Sequence, residues 1–143
     1  MSRLVLTNAY VLFAGNDISQ YVTQISLSTS YDVIDTTGLG AIGAARTRQA
    51  GLADNLLSIE FNQDYADNAL EELINGTSLA TSTVGVAVAM EIRPVNAAVS
   101  ASNPKFTFNA LIAEWQPLSG AVGELVSASA SWPISGPITK AIA

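Results

Sequence analysis

The sequence predicts a mainly β protein: an antiparallel β-sandwich or barrel with one short flanking α-helix and a long loop or arm. Most of the chain alternates apolar and polar residues with a period of two, which is typical of strands with one buried face. One stretch has its apolar residues at helical spacing, and one stretch rich in glycine and alanine has no period. The 143 residues suffice for one domain and no linker or repeat divides them, so 1–143 is expected to be a single domain.

Six segments carry the strand pattern, and it is clearest in 22–33. There Ile25 and Leu27 alternate with Ser26 and Ser28, and the alternation continues along the segment. Such a strand buries one face and leaves the other in water. The predicted strands are 7–14, 22–33, 56–62, 84–93, 106–113 and 125–132.

The helical spacing falls at about 64–75, which predicts a helix of about three turns. Asp64 or Asp67 can cap its first turn, where a carboxylate also interacts favourably with the helix dipole. Together with Glu71 and Glu72 these side chains form an acidic group that suggests a metal site. Glu71 and Glu72 diverge around a helix, however, and the sequence has no Asp-x-Asp-x-Asp-Gly loop. A solvated helix face is therefore the favoured interpretation, and no metal site is predicted.

The aperiodic segment spans about 35–54 and has four glycines and four alanines between positions 38 and 51. Loops longer than about 12–15 residues are uncommon in compact domains and are often functional. One interpretation is a mobile surface loop. The other, which we favour because its apolar side chains would be poorly placed in water, is an arm that orders against a neighbouring subunit. The residues assigned to this arm are Leu39, Ile42, Arg46, Arg48 and Leu52.

Composition excludes several kinds of active site. The sequence has no cysteine and no histidine, which excludes disulfides, thiolate and imidazole metal ligands, and imidazole bases. The match Gly38-x-Gly40-x-x-Gly43 lacks the preceding strand and following helix of a nucleotide-binding βαβ unit. Nothing resembles a paired-carboxylate or nucleophile site. We therefore predict that the protein is not an enzyme and has no catalytic residues, cofactor or metal.

Charge and hydropathy limit the partners. Twelve acidic residues against six basic ones give a formal net charge of −6, which disfavours binding to nucleic acid phosphates. No apolar run approaches the length of about 18 residues that a membrane span needs, and the N-terminus lacks the apolar region of a secretory signal. The apolar share of 49% excludes a disordered chain, while only 13% of residues are charged. This shortage of charge indicates a surface largely covered by partners.

A series of short stretches along residues 5–141 resembles one known family. The stretches are Asp-Ile-Ser-Gln-Tyr-Val at 17–22, Asp-Thr-Thr at 35–37, Arg-Thr-Arg-Gln-Ala-Gly-Leu at 46–52, Leu-Ser-Ile-Glu-Phe-Asn-Gln-Asp-Tyr-Ala at 57–66, Ser-Ala-Ser-Asn-Pro-Lys-Phe at 100–106, Pro-Leu-Ser-Gly-Ala-Val-Gly-Glu-Leu at 117–125 and Ser-Trp-Pro-Ile-Ser-Gly-Pro-Ile-Thr-Lys at 131–140. In this order and spacing they resemble the major tail (tail tube) proteins of long-tailed, non-contractile bacteriophages, the actinobacteriophage-like group in particular.

The resemblance implies a structural protein of the virion tail that is assembled in the host cytoplasm. Six copies would form a ring whose inner sheets join into a continuous β-barrel, and stacked rings would form a tube. A long loop typically bridges to the adjacent subunit or ring. The tube houses the tape-measure protein, ends at tail-tip and terminator proteins, and conducts the genome into the host. DNA would pass through without specific binding, and no membrane is involved.

A tube of this kind needs a wall to which DNA does not stick, and the polar strand faces are the candidates. Asp32 and Glu60 each lie on such a face with no obvious partner in their own strand, so we assign them to the lumen. The alternative is that both lie on the outer surface. The complete set of polar-face residues is Ser26, Ser28, Ser30, Asp32, Ser58, Glu60, Asn62, Thr107, Asn109, Ser127, Ser129 and Ser131.

Two rival functions stay open. An extracellular carbohydrate-binding or adhesion β-sandwich would use an exposed aromatic platform, for which Tyr21, Trp115 and Trp132 are the candidates. Trp132 shares the apolar face of its strand, so core packing is the favoured interpretation for that residue. A phage decoration or tail-tip protein is the second rival. Electron microscopy that distinguishes tubes, rings and monomers separates all three functions.

Overall fold

The computed structural model describes residues 4–40, 43, 45–66, 69–76 and 82–143. Two residues with a predicted role, Ile42 in the arm and Asp67 at the helix start, lie outside these ranges. The described residues form β1 (Tyr10–Phe13), β2 (Asn16–Asp17), β3 (Val22–Asp35), β4 (Arg48–Asn62), α1 (Leu70–Asn75), β5 (Ala87–Arg93), β6 (Lys105–Leu111), β7 (Ser127–Pro133) and β8 (Thr139–Ala141).

The strands form two antiparallel sheets around one core, which confirms the predicted mainly β sandwich with one short helix. One sheet has five strands in the order β2-β1-β5-β6-β8, and the other has three in the order β3-β4-β7. In the smaller sheet β4 is central, and it pairs with β3 on one side and β7 on the other. Strands β3 and β7 therefore form the two free edges of this sheet.

The core lies where the alternating apolar residues of the two sheets meet. Trp132 of β7 is fully buried, and its ring centroid lies 6.0 Å from those of Phe13 and Phe61. These contacts join β1 of the larger sheet to β4 and β7 of the smaller one. Removing such large apolar side chains from water is the main favourable term in folding. The buried faces of β4 and β7 are the predicted ones: Leu57, Ile59, Phe61, Ala128, Ala130 and Trp132.

Helix α1 is shorter than the predicted 64–75, because it begins only at Leu70. Asp64 does not cap it: its Oδ1 accepts the backbone N–H of Ala66 at 2.9 Å and closes a local turn before the helix. The residue at the N-cap position forms no side-chain cap hydrogen bond. Leu70 and Ile74 are buried in the core. Packing of this apolar face therefore stabilises a helix too short to be stable in isolation.

The predicted loop 35–54 requires a correction, because residues 48–54 belong to strand β4. Strands β3 and β4 form one long hairpin that remains paired as far as Asp35 and Arg48. Residues 36–47 therefore connect the two strands. The hairpin is the longest paired element among the described residues, with 14 residues in β3 and 15 in β4.

A β-bulge explains why the sequence pattern concealed this strand. Tyr31 pairs with Ala53, but the next registered pair is Val33 with Ala50, so Gly51 and its neighbour together oppose one residue of β3. The extra residue breaks the period of two in β4. The glycines and alanines around it provide too little polarity contrast to restore the pattern.

Candidate assembly surfaces

The face of the three-stranded sheet that points away from the core is polar. Glu60 at its centre lies between Gln24 of β3 and Ser129 of β7. Its only charged members are acidic, so it offers no cation to a phosphate group. We define the polar face as Gln24, Ser26, Ser28 and Ser30 of β3, Asp54, Leu56, Ser58, Glu60 and Asn62 of β4, and Ser127, Ser129 and Ser131 of β7.

The polar residues grouped from the sequence belong to two different surfaces. Thr107 and Asn109 lie on β6, which is part of the five-stranded sheet. Alternation distinguishes the outer face of a strand from its inner face, but each sheet of a sandwich has an outer face of its own. Only one of these two faces can line a common lumen.

Glu60 and Asp32 are both exposed, but the fold does not bring them together. Glu60 lies over the sandwich beside Gln24. Asp32 follows Gln24 by eight residues along β3 and lies at the bulge. At a rise of about 3.3 Å per residue, the two carboxylate positions are about 26 Å apart along the sheet.

The outer part of the β3–β4 hairpin extends beyond its own sheet. The last pair that β7 makes with β4 joins Pro133 to Leu56. The described residues of 30–54, the range to which we extend the name arm, therefore have no third strand beside them. The seven residues of β4 within the arm span about 23 Å before the loop begins.

The arm exposes apolar side chains at two of the predicted positions, Leu39 and Leu52, and at others. Leu39 is fully exposed and Leu52 is 81% exposed, and Tyr31, Val33 and Ile34 are also exposed. Monomeric soluble proteins rarely display apolar groups clustered in this way unless a partner covers them. The arm is therefore a candidate interface. Only some of these exposed apolar residues were predicted from the sequence to belong to it.

Of the two arm cations, Arg46 forms an ion pair within the chain. Arg46 Nη1 lies 3.3 Å from Asp35 Oδ2, in an exposed ion pair of the kind that contributes little to stability. Arg48 is the cross-strand neighbour of Asp35 and is exposed. The side chain and the backbone N–H of Thr37 hold the pKa of Asp35 below its ordinary value by hydrogen bonding. Thr37 thereby ties the end of β3 to the loop.

A second exposed apolar surface lies at the opposite end of the three-stranded sheet. The loop before β7 exposes Leu118, Val122 and Leu125. It is fixed to the end of β4 and the chain beyond it, because Gln63 N–H donates to the Val126 carbonyl at 3.0 Å and Tyr65 Oη donates to the Pro117 carbonyl at 2.6 Å. The domain therefore exposes apolar groups at both ends of one sheet.

The aromatic residues considered for a sugar platform pack into or against the core. Trp132 is buried, and Tyr21 packs against the core cluster. The Trp115 ring lies 5.6 Å from Phe61, and its Nε1 donates to Glu71 Oε2 at 2.8 Å. These contacts place the three rings against the protein interior, where they do not form the exposed platform that such a site needs.

The free edge of β7 is covered by two side chains from the segment that follows β6. Gln116 Oε1 accepts the Ser129 N–H at 3.3 Å, and Glu114 Oε1 accepts the Ser131 N–H at 2.7 Å. Exposed strand edges are a liability that proteins often blunt with such groups. No sequence pattern marked these two residues, since side chains that cap an edge need no particular spacing from it.

The described ranges of the chain also bear on metal ions and membrane-spanning helices. No three His, Cys, Asp or Glu side chains in the part of the chain that the structure describes are placed to share a metal ion. No helix in the same ranges has the length and apolar character needed to cross a membrane.

Comparison with known proteins identifies the fold through structure alone. No protein-family model and no curated protein matches the sequence. A chain of the "virion of native gene transfer agent (GTA) particle" has a TM-score of 0.70 and 12% identity over 94% of this chain and 95% of its own length. A chain of the "tail of empty GTA particle", solved with C6 symmetry, has a TM-score of 0.59 and 12% identity, over 87% of this chain and 84% of its own length. A chain of the six-fold symmetrised anti-feeding prophage (AFP) baseplate has a TM-score of 0.56 and 11% identity, over 99% of this chain and 97% of its own length.

Proposed function

We propose that this protein is a structural subunit of a phage-type tail and that its copies form the tail tube. One observation carries the proposal: the fold matches chains of a GTA virion, a GTA tail and an AFP baseplate over most of the chain. The sequence resemblance to siphophage major tail proteins points to the same role and supplies the finer assignment to non-contractile, actinobacteriophage-like tails. The protein would then reside in the virion tail and serve no enzymatic role.

The assembly that we propose is a hexameric ring stacked into a tube. Two of the similar chains come from assemblies described with six-fold symmetry. Closing the small sheet of each copy onto the next would pair the edges of β3 and β7, which have no strand neighbour in the free subunit, and this favours a ring over a free subunit. Exposed apolar groups at both ends of the sheet support stacking of one ring on the next.

We assign the polar face to the lumen. It carries serines, amides and carboxylates and has no cation among its defined members, so DNA can slide along it without adsorbing. At physiological salt its carboxylates repel phosphates over about 8 Å. Glu60 is the residue we place in the wall. Asp32 lies on the arm and would meet DNA only where the arm reaches the channel.

The first experiment tests whether the protein assembles at all. Sedimentation of the purified chain at micromolar concentration, combined with negative-stain microscopy, should show rings or tubes. Particles that remain monomeric at every salt concentration would contradict the proposal. Isolated globular particles bound to preformed tails would favour the decoration or tail-tip rival. Binding of the tape-measure, tail-tip and terminator proteins is tested by adding each of them to such tubes and measuring whether it co-sediments with the tube.

The arm is tested by making its exposed surface polar. The double variant Leu39→Ser with Leu52→Ser should fold normally, because both side chains are exposed in the free subunit. It should fail to form tubes if the arm bridges subunits. Val86→Ser is the matched control, because Val86 is also exposed but lies outside the arm. Tubes of normal length from the double variant would contradict the role of the arm.

The lumen assignment is tested by adding one cation to each candidate face. In a phage that still assembles tails, Glu60→Lys should slow DNA ejection and make its rate dependent on salt. Asn109→Lys, which places the same group on the outer face of the five-stranded sheet, should leave ejection unchanged. The reverse pattern would place the five-stranded sheet in the lumen. Asp32→Lys, made separately, reports whether the arm reaches the channel.

A further inference from the structure

We propose that the β7 edge of one copy accepts the β3 edge of a second copy in parallel pairing, which displaces the side-chain caps Glu114 and Gln116. The proposal rests on the self-assembly proposed above and specifies where and in which direction the sheets join. It follows from the directions of the backbone hydrogen bonds at the two edges, combined with rotational symmetry.

In β7, the residues whose backbone N–H groups point away from β4, toward the free edge, are the serines of the polar face. We call such residues outward-bonding. The N–H groups of Ser129 and Ser131 donate to Gln116 and Glu114 on the side away from β4. The N–H of Ser127 donates on the same side, to the Ser119 carbonyl at 3.2 Å. Backbone groups alternate in direction along a strand, so the residues between these serines bond to β4.

The outward-bonding residues of β3 are instead those that face the core. Asn62 N–H donates to the Tyr21 carbonyl at 2.7 Å, so the polar-face residues of β4 bond toward β3. Their registered partners, Ser26 opposite Ser58 and Ser28 opposite Leu56, therefore bond inward. The backbone groups of Ile25, Leu27 and Thr29 are left pointing to the free edge.

Rotational symmetry fixes the relative direction of the two edges. Strands β3 and β7 are both antiparallel to β4 and so run in the same direction. Rotation about a ring axis preserves the direction of a strand along that axis, so β7 of one copy and β3 of the next run parallel.

The alternation of bonding directions agrees with this parallel arrangement. In a parallel pair, a residue that bonds to the partner strand lies opposite one that bonds away, and their side chains share a face. Ser129 would thus lie opposite Ser26 or Ser28 of the second copy, and the polar face would continue unbroken. An antiparallel junction would place Ser129 opposite Ile25 or Leu27 and turn the neighbouring sheet inside out.

The caps can leave without unfolding the segment that carries them. Trp115, which lies between them, is anchored by its contact with Phe61 and its hydrogen bond to Glu71. Rotation of the two flanking side chains alone frees the N–H groups of Ser129 and Ser131, whereas the N–H of Ser127 stays bonded to the Ser119 carbonyl. Until then the caps protect the edge from unselective strand pairing.

Removing the caps should promote assembly. The double variant Glu114→Ala with Gln116→Ala should lower the concentration at which assembly begins by about tenfold, which corresponds to roughly 1.4 kcal/mol per junction. The control is Gln20→Ala, which removes an exposed amide side chain away from this edge. An unchanged or higher onset in the cap variant, with the control equal to wild type, would overturn the displacement of the caps.

Cysteine pairs test the junction independently of the caps, because the chain has no cysteine of its own. A Ser129→Cys substitution combined with Ser26→Cys or Ser28→Cys should give oxidised multimers in assembled rings. Moving both positions two residues toward the C-terminus, to Ser131 with Ser28 or Ser30, should preserve the cross-link in a parallel junction. Rings that form without either cross-link, or that lose it on this shift, would overturn the parallel junction. The absence of rings would instead contradict the proposed function.

Discussion

Glu71 provides the most direct test of how the helix is held on the sandwich. Its Oε2 accepts the Trp115 Nε1–H at 2.8 Å and the Gln63 Nε2–H at 3.3 Å, and its Oε1 accepts Asn75 Nδ2–H at 3.0 Å. One carboxylate therefore joins the helix to the end of β4 and to the segment after β6. Substitution by alanine removes all three acceptors and leaves the indole N–H of Trp115 without its partner.

Glu71→Ala is expected to lower the free energy of unfolding by about 2–3 kcal/mol. A hydrogen bond to a charged group contributes about 1.5–3 kcal/mol, and two of these three bonds are short. The site is only partly buried, so water recovers part of the loss. For a chain of this size the change lowers the melting temperature by roughly 6–12 °C. Glu71→Gln keeps one acceptor but loses the charge and should cost about 1 kcal/mol.

The assay is urea unfolding of the free subunit below its assembly concentration, because association would add apparent stability to every variant. Circular dichroism reports the global transition, and tryptophan fluorescence reports the surroundings of Trp115 and Trp132 together. Glu124→Ala is the control, because Glu124 is exposed in a loop, and it should stay within about 0.5 kcal/mol of wild type. If Glu71→Ala lowers the free energy of unfolding by no more than the control does, the carboxylate is not the anchor of the helix.

Three further outcomes are expected. Asn103→Ala should destabilise the free subunit by about 1–3 kcal/mol in urea unfolding, since this buried amide donates to three carbonyls of the loop before β6 and accepts one N–H. Gly51→Val should loosen the arm without lowering the global melting temperature, because a Cβ there would lie 3.1 Å from Asp32 Cβ; faster amide exchange confined to the arm is the measurement. The depressed pKa of Asp35 means that its bond from the Thr37 N–H stabilises the arm tip above the usual aspartate pKa of about 3.9 and is lost as pH falls below it. In that acidic range the protection of the Thr37 amide, meaning its exchange rate relative to that of an unstructured amide at the same pH, should fall in wild type but show no such step in Asp35→Asn.

Alternation predicted the strands that bury one face over the core. In β4 and β7 the residues that face inward over the sandwich are apolar except for Asn55, whose Nδ2 donates to the Gly136 carbonyl at 3.1 Å. Apolar residues dominate there because burying a polar group without partners is costly. Strands β2 and β8 escaped prediction because they have two and three residues, too few to establish a period. They are strands only because β1 and β6 provide neighbours with which they pair.

The assembly surfaces were predicted less completely, because they depend on which strands become neighbours. The sequence indicated correctly that Thr107 and Glu60 lie on strands with polar faces, but it could not show that those strands belong to different sheets. Likewise, Glu114 and Gln116 contact β7 through side chains that reach across from another segment. Local periodicity contains no information on such contacts between segments distant along the chain.

The row of alternate apolar side chains on β3 that faces the core continues along the strand beyond the end of the five-stranded sheet that covers it. Ile25 and Leu27 pack against the core cluster, whereas Tyr31 and Val33, which continue the same alternation, are exposed. A strand whose apolar stripe continues past its own sandwich leaves part of that stripe in water in the free subunit, at a cost of about 25 cal/mol per Å² of apolar surface. Only a surface outside the chain can remove this cost. In the proposed tube that surface is another copy, so the pattern that folds the subunit also prepares the arm to bind its neighbour.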